Sequence, residues 1–400
     1  MTIRVAVLGE SGITGKAVID TLNRLAGYTH VSTVANADWV VASPGISPSD
    51  FPETAAPIVS EIEFAYLLFR RPESAYCPKL IGITGTNGKT TVTEMISAVT
   101  RAPACGNIGT PLITYVDHPD RPEWLAVELS SYQLETCHEF RPEIAVLLNI
   151  TPDHLQRHGT MQEYARQKAK VFTAQTAEDC LIYLETDPEI QSVISLCPSR
   201  RLPLSEHSAE YTDIRTRLDL PGAHNIINAL ATVYAAREAG IPVTRSLEIL
   251  SQFRLADHRL EHVATLNGVT FINDSKSTNP DATMVAVRAY PNAHVLICGK
   301  DKELDLVPLI RFLSESAKSV IVFGEIADRY VAVARGLGLP TSISQVADLN
   351  SAVALARSNA EPGDVVLLSP ACSSFDQFQN YEDRGNQYKT VVTQVAHSRP

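Results

Sequence analysis

A strand, a glycine-rich loop and a helix follow one another at residues 79–100, and this unit constrains the fold more than any other part of the sequence. The apolar run Lys79–Thr84 is typical of a buried strand, and the segment from Lys89 to about Thr100 is typical of a helix. The loop between them reads Gly85-Thr86-Asn87-Gly88. A strand that enters a helix through such a loop belongs to a parallel α/β sheet, in which backbone N–H groups and the helix N-terminus can hold an anion.

The loop carries the residue types of a phosphate-binding site. Its glycines allow the backbone to close around phosphate, Lys89 can reach the β- and γ-phosphates, and the Thr90 hydroxyl can bind magnesium. The strict pattern G-x-x-x-x-G-K-[ST] is not met, because Ile83 stands at the position of its first glycine. The alternative for the pattern alone is a chance glycine turn before a helix. Because G-K-T-T lies directly between a strand and a helix, we predict an ATP site at Gly85, Thr86, Asn87, Gly88, Lys89, Thr90 and Thr91.

Bulk properties exclude several classes of protein. A length of 400 residues predicts two to four domains, and a net charge of -11 disfavours a general nucleic-acid binder. The seven cysteines are odd in number and contain no C-x-x-C pair, so we expect buried, reduced thiols. The short apolar N-terminus reads as a first strand, and no segment approaches the ~18 apolar residues of a membrane span. We expect a cytoplasmic monomer with small-molecule substrates and neither nucleic-acid nor membrane partners.

Short β-branched runs alternate with helical stretches in three successive blocks, which predicts an α/β fold with parallel sheets. Expected strands lie at Arg4–Leu8, Trp39–Ala42, Lys79–Thr84, Trp124–Leu129, Ile144–Ile150, Thr270–Asn273, His294–Cys298, Ser319–Phe323 and Val365–Ser369. Expected helices lie at Ala17–Leu25, Lys89–Thr100, Glu163–Phe172 and Asn225–Ala239. The polar stretch Arg71-Pro72-Glu73-Ser74 suits a linker between the first two blocks.

The loop has the form G-T-x-G-K-T-[ST], and further motifs follow it in order along the chain. They are Gly106–Gly109, Glu128–Leu134, Asn149–Leu155, Tyr164–Lys168, His224–Ala229, His258–Glu261, Asn273–Asn279 and Ser369–Phe378. In this order they resemble the Mur ligase family, which joins amino acids to nucleotide-linked cell-wall precursors. The segments E-L-S-S-Y-Q-L and S-P-A-C-S-S-F-D-Q-F are similar to those of the branch that adds D-glutamate to UDP-N-acetylmuramoyl-L-alanine.

The resemblance implies three domains and an ATP-dependent amide ligase that forms an acyl phosphate. The domains would be a shortened Rossmann-like N-terminal domain for the UDP precursor (1–76), a central ATP-binding P-loop domain (77–256) and a Rossmann-like C-terminal domain for the amino acid (257–400). The acyl phosphate would form in the cytoplasm during synthesis of peptidoglycan precursors.

Two Mg²⁺ ions are also implied. Thr90 and Glu128 would bind the first, and His154 and a carbamylated Lys168 the second. Taken without the family, Glu128 would be a surface carboxylate at a strand end and His154 a hydrogen-bonded structural histidine. Lys168 and Lys170, on a helix of alternating charge, would be solvated.

The same matching assigns the remaining substrate contacts. The expected catalytic residues are Lys89, His154 and Lys168. Beyond the loop, ATP would contact Asn228, Arg259, Asp274 and Lys276, although Asn273–Asn279 alone would be an ordinary polar turn. D-Glutamate would bind Thr278, Lys302, Ser374 and Tyr381. Because Cys298-Gly299 departs from the family's double glycine, Lys300 competes with Lys302 for this role.

The acceptor end carries the weakest signal. The glycine turn at residues 9–15 opens a helix and suits a diphosphate, but it is not the dinucleotide fingerprint. The family usually has a longer stretch before Ser43, and we expect Val31–Val34 to be the remnant of an additional strand there. The expected contacts with the UDP precursor are Ser11, Gly12, Thr14, Gly15, Ser43, Gly45 and Asn107.

Two alternatives stay open. Another ligase of the same superfamily could add a different amino acid or act on folate, and the residues do not separate D- from L-glutamate. A nucleotide-binding scaffold without catalysis is the other alternative, and the presence of Lys89, Glu128, His154, Lys168 and Asp274 disfavours it.

Overall fold

The computed structural model describes residues 2–339 and 342–397, and its strands form three sheets. The chain is mixed α/β, and almost all of its strand pairs are parallel, as the sequence predicts. Parallel strands are covered by helices on both faces, which explains why they are continuous apolar runs and do not alternate between polar and apolar residues.

The first sheet contains four parallel strands in the order β2-β1-β3-β4. They are β1 (Ile3–Leu8), β2 (Tyr28–His30), β3 (Trp39–Ala42) and β4 (Ile58–Ser60), and the helices are α1 (Ile13–Arg24) and α2 (Glu61–Arg70). The expected strand remnant at Val31–Val34 is wrong. The strand ends at His30, which pairs with Val5, and Val34–Asn36 is a 3-10 turn.

The second sheet contains six parallel strands in the order β10-β9-β8-β5-β7-β6. They are β5 (Lys79–Thr84), β6 (Ala104–Gly106), β7 (Trp124–Glu128), β8 (Ile144–Leu147), β9 (Cys180–Leu184) and β10 (Arg200–Leu204). Its helices are α3 (Lys89–Thr100), α4 (Ser131–Leu134), α5 (Leu155–His158), α6 (Met161–Thr173), α7 (Pro188–Val193), α8 (Ala209–Arg217), α9 (Ala223–Glu238) and α10 (Val243–Leu250). β8 is shorter than predicted, because the backbone after Leu147 turns to bond the glycine loop.

The third sheet has the order β11-β12-β16-β13-β14-β15, and only β11 runs antiparallel to its neighbour among these described strands. Its strands are β11 (Glu261–Leu266), β12 (Val269–Asn273), β13 (His294–Cys298), β14 (Ser319–Phe323), β15 (Ile343–Gln345) and β16 (Val365–Ala371). Its helices are α11 (Pro280–Ala289), α12 (Val307–Ser316), α13 (Ile326–Leu337), α14 (Leu349–Asn359) and α15 (Tyr381–His397).

The described residues group into two compact units. The first comprises the described residues up to Asp219 together with Ile226–Phe253, and it contains the first two sheets. The second comprises Leu220–Asn225 and the described residues from Arg254 onward, and it contains the third sheet. The domain boundaries at residues 76 and 256 stay predictions.

One apolar core contains residues of both sheets of the first unit. It includes Val5 and Val18 of the first sheet region, Phe64 of α2, and Leu80 and Phe172 of the second sheet region, all buried. This core contains residues from both sides of the polar stretch at positions 71–74, which the sequence suggests as a linker. The residues before and after that stretch therefore pack as one body.

Two glutamates of α2 fasten this helix to the second sheet. Both carboxylate oxygens of Glu63 accept backbone N–H groups, from Glu139 at 2.7 Å and Phe140 at 2.9 Å. Glu61 accepts the N–H of Ile113 at 2.6 Å, and its second oxygen is buried without a hydrogen-bond partner. Burial raises the pKa of Glu61 to about 7, since nothing but backbone N–H groups offsets the lost hydration of its charge.

The cysteines are unpaired thiols, as predicted, but not all of them are buried. Six of the seven are buried, whereas Cys77 is exposed beside Arg70. No helix among residues 2–339 and 342–397 has the length and apolar character needed to cross a membrane.

Candidate active site

The phosphate loop connects β5 to α3 at the centre of the second sheet. Asn149, at the end of the neighbouring β8 segment, braces it on three sides. Its carbonyl accepts the N–H of Thr86 at 2.8 Å, its side-chain oxygen accepts the N–H of Asn87 at 2.8 Å, and its amide donates to the carbonyl of Asn87 at 3.0 Å. These bonds fix the loop before any ligand arrives. Asn149 lies in one of the family motifs, but the residue type and its spacing do not predict these bonds to the loop.

The two loop glycines are required by backbone geometry. Gly88 has φ of 86° and caps α3, and a Cβ there would lie 2.8 Å from the Asn228 Oδ1. At Gly85 a Cβ would lie 3.1 Å from the Cβ of Leu148. The predicted ATP residue Asn228 is buried against this loop, so the structure brings these residues together in the first unit.

Two lysines converge on one carbonyl of the loop. The Lys89 Nζ donates to the carbonyls of Gly85 at 2.9 Å and Thr86 at 2.8 Å, and the Lys168 Nζ donates to the same Gly85 carbonyl at 2.7 Å. The Lys168 side chain also lies with its Nζ 4.6 Å from the centroid of the Tyr164 ring. The alternative that Lys168 is solvated is wrong, because the residue is only 1% exposed.

Burial holds the pKa of Lys168 well below its usual range, and the nearby charge of Lys89 lowers it further. The carboxylates of Asp153 and Glu128 act in the opposite direction. An amine with a lowered pKa is more often uncharged near neutral pH, and an uncharged amine is the form that reacts with carbon dioxide.

Glu128 is the last residue of β7 and is buried, with 2% of its surface exposed, so it is not the surface carboxylate of the alternative interpretation. Asn107 donates its side-chain amide to the Glu128 Oε1 at 2.8 Å. The Oε2 is buried without a hydrogen-bond partner, which leaves an anionic oxygen to be satisfied by a ligand. Asn107, which the sequence analysis assigned to the UDP precursor, therefore orients this carboxylate.

His154 follows β8 in the left-handed conformation, with φ of 56°. Its Nδ1 lies 2.9 Å from the Tyr132 hydroxyl, and the two rings are 4.9 Å apart. When Nδ1 carries the proton and donates to Tyr132, Nε2 presents the lone pair that a metal ion needs. The Asp153 carboxylate lies 3.7 Å from that nitrogen.

These residues fit a magnesium site in part. Hydroxyl and carboxylate oxygens are the ligands that Mg²⁺ prefers, and the buried Glu128 Oε2 without a hydrogen-bond partner is such an oxygen. The His154 imidazole is a softer, less usual ligand for this ion. A protonated Lys168 would repel one, whereas a carbamate at that position would attract it. No group of three or more His, Cys, Asp or Glu side chains within residues 2–339 and 342–397 is arranged to hold a metal ion. The site therefore needs the Thr90 hydroxyl, phosphate oxygens or a carbamate to complete it.

The glycine turn of the first sheet is closed tightly. A Cβ on Gly15 would lie 2.3 Å from the carbonyl oxygen of Gly9, and the Ser43 hydroxyl donates to that carbonyl at 3.3 Å. The structure thus brings Gly15 and Ser43 together at the Gly9 carbonyl. Ser11, Gly12 and Gly45 lie on the same strand-end loops and Thr14 lies in the first turn of α1, all of them partly or fully exposed. The turn also carries Glu10, which pairs with His30 at 3.0 Å.

In the second unit Asp274 is buried and already fully engaged. Its Oδ1 accepts the N–H of Leu260 at 3.2 Å, and its Oδ2 accepts the hydroxyls of Ser277 and Ser369 at 2.5 and 2.9 Å. Burial raises its pKa to about 6, and Arg259 acts against that shift. Arg259 also contributes to the low pKa of half-buried His224, about 4, after the larger effect of desolvation. These contacts place Arg259 near both groups.

The predicted amino-acid contacts lie at the carboxyl ends of β12, β13 and β16. The Lys276 Nζ is 3.7 Å from the centroid of the Tyr381 ring, a cation–π contact, and Ser374 is buried. Thr278 is half-buried on the turn after β12. Lys302 is half-buried and acts electrostatically on the buried thiol of Cys372, whereas Lys300 is exposed.

A fully buried arginine, absent from the sequence analysis, ties these strand ends together. Arg384 donates to the hydroxyl and carbonyl of Ser275 at 3.0 and 2.9 Å and to the carbonyl of Cys372 at 3.1 Å. Nothing in the sequence around Arg384 predicts that a charged residue of α15 is buried. Through these bonds, Arg384 fixes the loops that follow β12 and β16 relative to each other.

The fold and the loop together define an α/β nucleotide-binding protein. Residues 83–236 match the Mur ligase middle domain, and residues 258–372 match the Mur ligase, glutamate ligase domain. A UDP-N-acetylmuramoylalanine–D-glutamate ligase of Acidobacterium capsulatum is 39% identical over 403 residues, covering 92% of this chain and 85% of the relative. The ligase of the same name from Pelotomaculum thermopropionicum is 40% identical over 399 residues, covering 92% of this chain and 86% of the relative. The chain therefore belongs to the Mur ligase family, as the motifs predicted.

Solved structures agree on the fold. MurF from Acinetobacter baumannii superimposes with a TM-score of 0.66 at 17% identity, over 98% of this chain and 90% of that one. MurF ligase from Thermotoga maritima in complex with ADP gives 0.64 at 18% identity, over 98% and 95%. At these identities the likeness concerns the fold.

Proposed function

We propose that this chain is an ATP-dependent ligase that joins D-glutamate to UDP-N-acetylmuramoyl-L-alanine in cytoplasmic synthesis of peptidoglycan precursors. The names of its 39–40% identical relatives support the substrates. One observation carries the chemistry, which is the convergence of Lys89 and buried Lys168 on the carbonyl of Gly85 in a preformed phosphate loop.

The reaction has two steps. A carboxylate oxygen of the acceptor attacks the γ-phosphorus of ATP, the bond to the bridging oxygen breaks, and ADP leaves with its electron pair. The amine of D-glutamate then attacks the acyl carbon, phosphate leaves, and the amine loses a proton. Both steps need the transferring phosphoryl group to be held still and its charge compensated.

This chain's residues meet those needs in the first unit. The N-terminus of α3 would face the phosphates, and Lys89 would exchange its carbonyl partners for phosphate oxygens, while the N–H groups of Thr86 and Asn87 stay bonded to Asn149. Mg²⁺, when bound, would neutralise phosphate charge, held by Thr90 and Glu128 and by His154 with a carbamylated Lys168. Asn107 keeps the Glu128 carboxylate oriented, and Tyr132 does the same for the His154 ring.

Carbamylation of Lys168 is part of the proposal. The uncharged amine attacks carbon dioxide, a C–N bond forms, and one proton is released. Burial supports this step because it favours the uncharged amine, and the product is an anion within reach of the charge of Lys89. The modification therefore converts mutual repulsion between two lysines into attraction.

In the second unit, we assign ATP contacts to Arg259, Asp274 and Lys276. Because both oxygens of Asp274 already accept hydrogen bonds, a ribose hydroxyl would share them. For D-glutamate we assign Thr278, Ser374 and Tyr381. We choose Lys302 over Lys300, because the charge of Lys302 is close enough to lower the pKa of the Cys372 thiol, two residues before Ser374. The contacts of the UDP precursor are assigned to Ser11, Gly12, Thr14, Gly15, Ser43, Gly45 and Asn107. The domain limits 1–76, 77–256 and 257–400 and the monomeric state belong to this proposal.

The proposal is tested by ligation assays on the full chain with ATP, Mg²⁺ and UDP-N-acetylmuramoyl-L-alanine. D-Glutamate should give a product heavier by one glutamyl residue and release one phosphate for each bond formed. L-Glutamate and other amino acids serve as the comparison. Ligation of another amino acid in preference to D-glutamate, or phosphate release that does not depend on the acceptor, would overturn the assignment.

A further inference from the structure

The loop after β13 carries the lysine assigned to D-glutamate, and it has an unusual backbone. Gly299 begins it with φ of 122°, and a Cβ there would lie 2.1 Å from the carbonyl oxygen of Ser373. Lys300 donates its N–H to that carbonyl at 2.7 Å. Glu303, immediately after Lys302, has φ of 57° although it is not glycine. A left-handed non-glycine residue persists only where its surroundings hold it.

Arg329 of α13 supplies that hold. Its Nη1 lies 2.7 and 2.9 Å from the two carboxylate oxygens of Asp301, and its Nη2 donates to the carbonyl of Leu304 at 2.7 Å. Asp301 in turn accepts the N–H of Glu303 at 2.8 Å. The strained residue is therefore clamped on both sides, and Lys302 lies inside the clamp.

The same helix also anchors the segment that carries Ser374. The N–H of Glu325, which precedes α13, donates to the Asp376 Oδ2 at 3.0 Å, and the N–H of Ile326 donates to the carbonyl of Gly299 at 3.1 Å. The start of α13 thus contacts both the lysine loop and the serine segment. Its position sets the distance between the two groups assigned to the amino-acid substrate.

The pair adds little to overall stability. The Arg329 side chain is 36% exposed and that of Asp301 17%, and ion pairs with this degree of exposure contribute only slightly to the stability of a fold. Three convergent bonds from one planar guanidinium instead restrict where the loop can lie. We therefore expect loss of these bonds to change the position of Lys302 more than the stability of the fold.

We propose that Asp301 and Arg329 are positioning residues that hold the Lys302 loop in register with Ser374 for recognition of the amino-acid substrate. This role rests on the proposed function, because it takes D-glutamate as the ligand of Lys302. Neither residue touches the substrate in this assignment.

The test compares Arg329→Gln, Asp301→Asn and the double variant with the unchanged full chain. Each single variant should raise KM for D-glutamate by roughly tenfold, with kcat and the KM for ATP nearly unchanged, as expected for loss of substrate positioning. The double variant should raise it no further than the worse single variant, since either change breaks the same pair. Lys318→Gln is the matched control, because it removes an ion pair with Asp364 at 2.8 Å at the amino end of β14 in the same sheet.

Hydrogen exchange of the amides of residues 303–306 provides a readout independent of catalysis. Faster exchange there in Arg329→Gln and Asp301→Asn, and not in Lys318→Gln, supports the clamp. Unchanged exchange, or a parallel rise in every KM with a lowered melting temperature, overturns it. If the unchanged chain does not ligate D-glutamate, the proposed function falls, and the exchange data still decide whether the pair orders the loop.

Discussion

The Lys168 Nζ lies 2.7 Å from the carbonyl oxygen of Gly85, inside the phosphate loop. Lys89 donates to the same oxygen at 2.9 Å. Two ammonium groups on one carbonyl repel each other, and burial adds to that cost for Lys168. Such an arrangement is favourable when one amine is uncharged or converted to an anion.

Lys168→Ala should therefore lower kcat by roughly a hundredfold or more, the size of effect seen when a preorganised charge is removed from a reacting centre. Short carboxylic acids added to this variant should restore part of the activity by filling the place of the carbamate. Mass spectrometry of the unchanged protein under bicarbonate should find one added CO₂. Lys170→Ala, two residues along the same helix, is the control. Full activity in Lys168→Ala would remove the carbamate from the mechanism.

Gly88→Ala should weaken ATP binding strongly. The new methyl group would lie 2.8 Å from the Asn228 Oδ1, and the residue would also have to keep φ of 86°. Gly240→Ala is a matched control, because Gly240 has φ of 88° and open space around its Cβ position. Both variants should lose about 1 kcal/mol of stability from backbone strain. Only Gly88→Ala should raise KM for ATP, and an equal rise in both would show that strain alone accounts for it.

Glu128→Gln should raise the Mg²⁺ concentration needed for half-maximal activity by about tenfold. In the variant, the remaining side-chain oxygen can still accept the hydrogen bond from Asn107. The Oε2 assigned to the cation becomes an uncharged NH₂ group, which cannot bind a metal ion. Glu123→Gln is the control, because Glu123 precedes the first residue of β7 and Glu128 is the last. Its loss should leave the magnesium requirement unchanged. Identical magnesium titrations for Glu128→Gln and the unchanged chain would exclude Glu128 as a ligand.

Lys302→Ala should raise KM for D-glutamate by at least about tenfold, since it removes a charged hydrogen-bond donor from a carboxylate. Lys300→Ala should have a smaller effect, because Lys300 is exposed and its backbone is committed to Ser373. Steady-state kinetics at saturating ATP measure both. A larger effect from Lys300→Ala would reverse the assignment.

Glu61 should make stability depend on pH in the direction opposite to an ion-paired carboxylate. Its pKa is about 7 in the folded chain against an ordinary value near 4.5, so the folded state binds the proton more tightly. Stability is then lost as pH rises from about 4.5 to 7, by up to roughly 3 kcal/mol, and is constant above that. Cys105, the neighbouring buried thiol, has a strongly raised pKa and stays neutral over this range.

Urea unfolding of Glu61→Gln at pH 5 and pH 8 checks this expectation. The amide has no charge to bury, so the variant should gain on the unchanged chain at pH 8 relative to pH 5. Glu63→Gln provides the reference for replacing a buried glutamate on the same helix, where both oxygens accept N–H groups. An equal free-energy difference for Glu61→Gln at both pH values would refute the titration.

The sequence predicted most of the strands that lie inside the sheets, although the inner strand Cys180–Leu184 was missed. Lys79–Thr84, His294–Cys298 and Ser319–Phe323 have the predicted bounds, because each is an apolar run between turn residues. Edge strands were missed. Arg200–Leu204 is polar and largely exposed, and Glu261–Leu266 pairs on one side only, so neither has a buried-strand pattern.

The sequence predicted the family and the strand–loop–helix unit at residues 79–100, but it could not predict burial or long-range pairing. The charge pattern of α6 favoured a solvated Lys168, and only packing shows it inside the protein. The Asp301–Arg329 pair joins positions 28 residues apart, and no local pattern marks either partner. The hydrogen bond from the Asn107 amide to Glu128 was not predicted either, and the expected contact of Asn107 with the UDP precursor stays a prediction.

The apolar core that runs through the first two sheets also bears on how this protein melts and how it can be cut. A small four-stranded sheet alone would bury too little surface to be stable, and here it shares an apolar core with the larger second sheet. Tyr66 of α2 packs against Phe140 in that core, with the ring centroids 5.7 Å apart. Heating should then unfold both sheets in one calorimetric transition. A fragment that starts near residue 77 would expose the other half of that interior and aggregate. The region around β2 could become shorter without loss of the fold, because β2 is an edge strand whose residues are at most partly buried and add little to the apolar core.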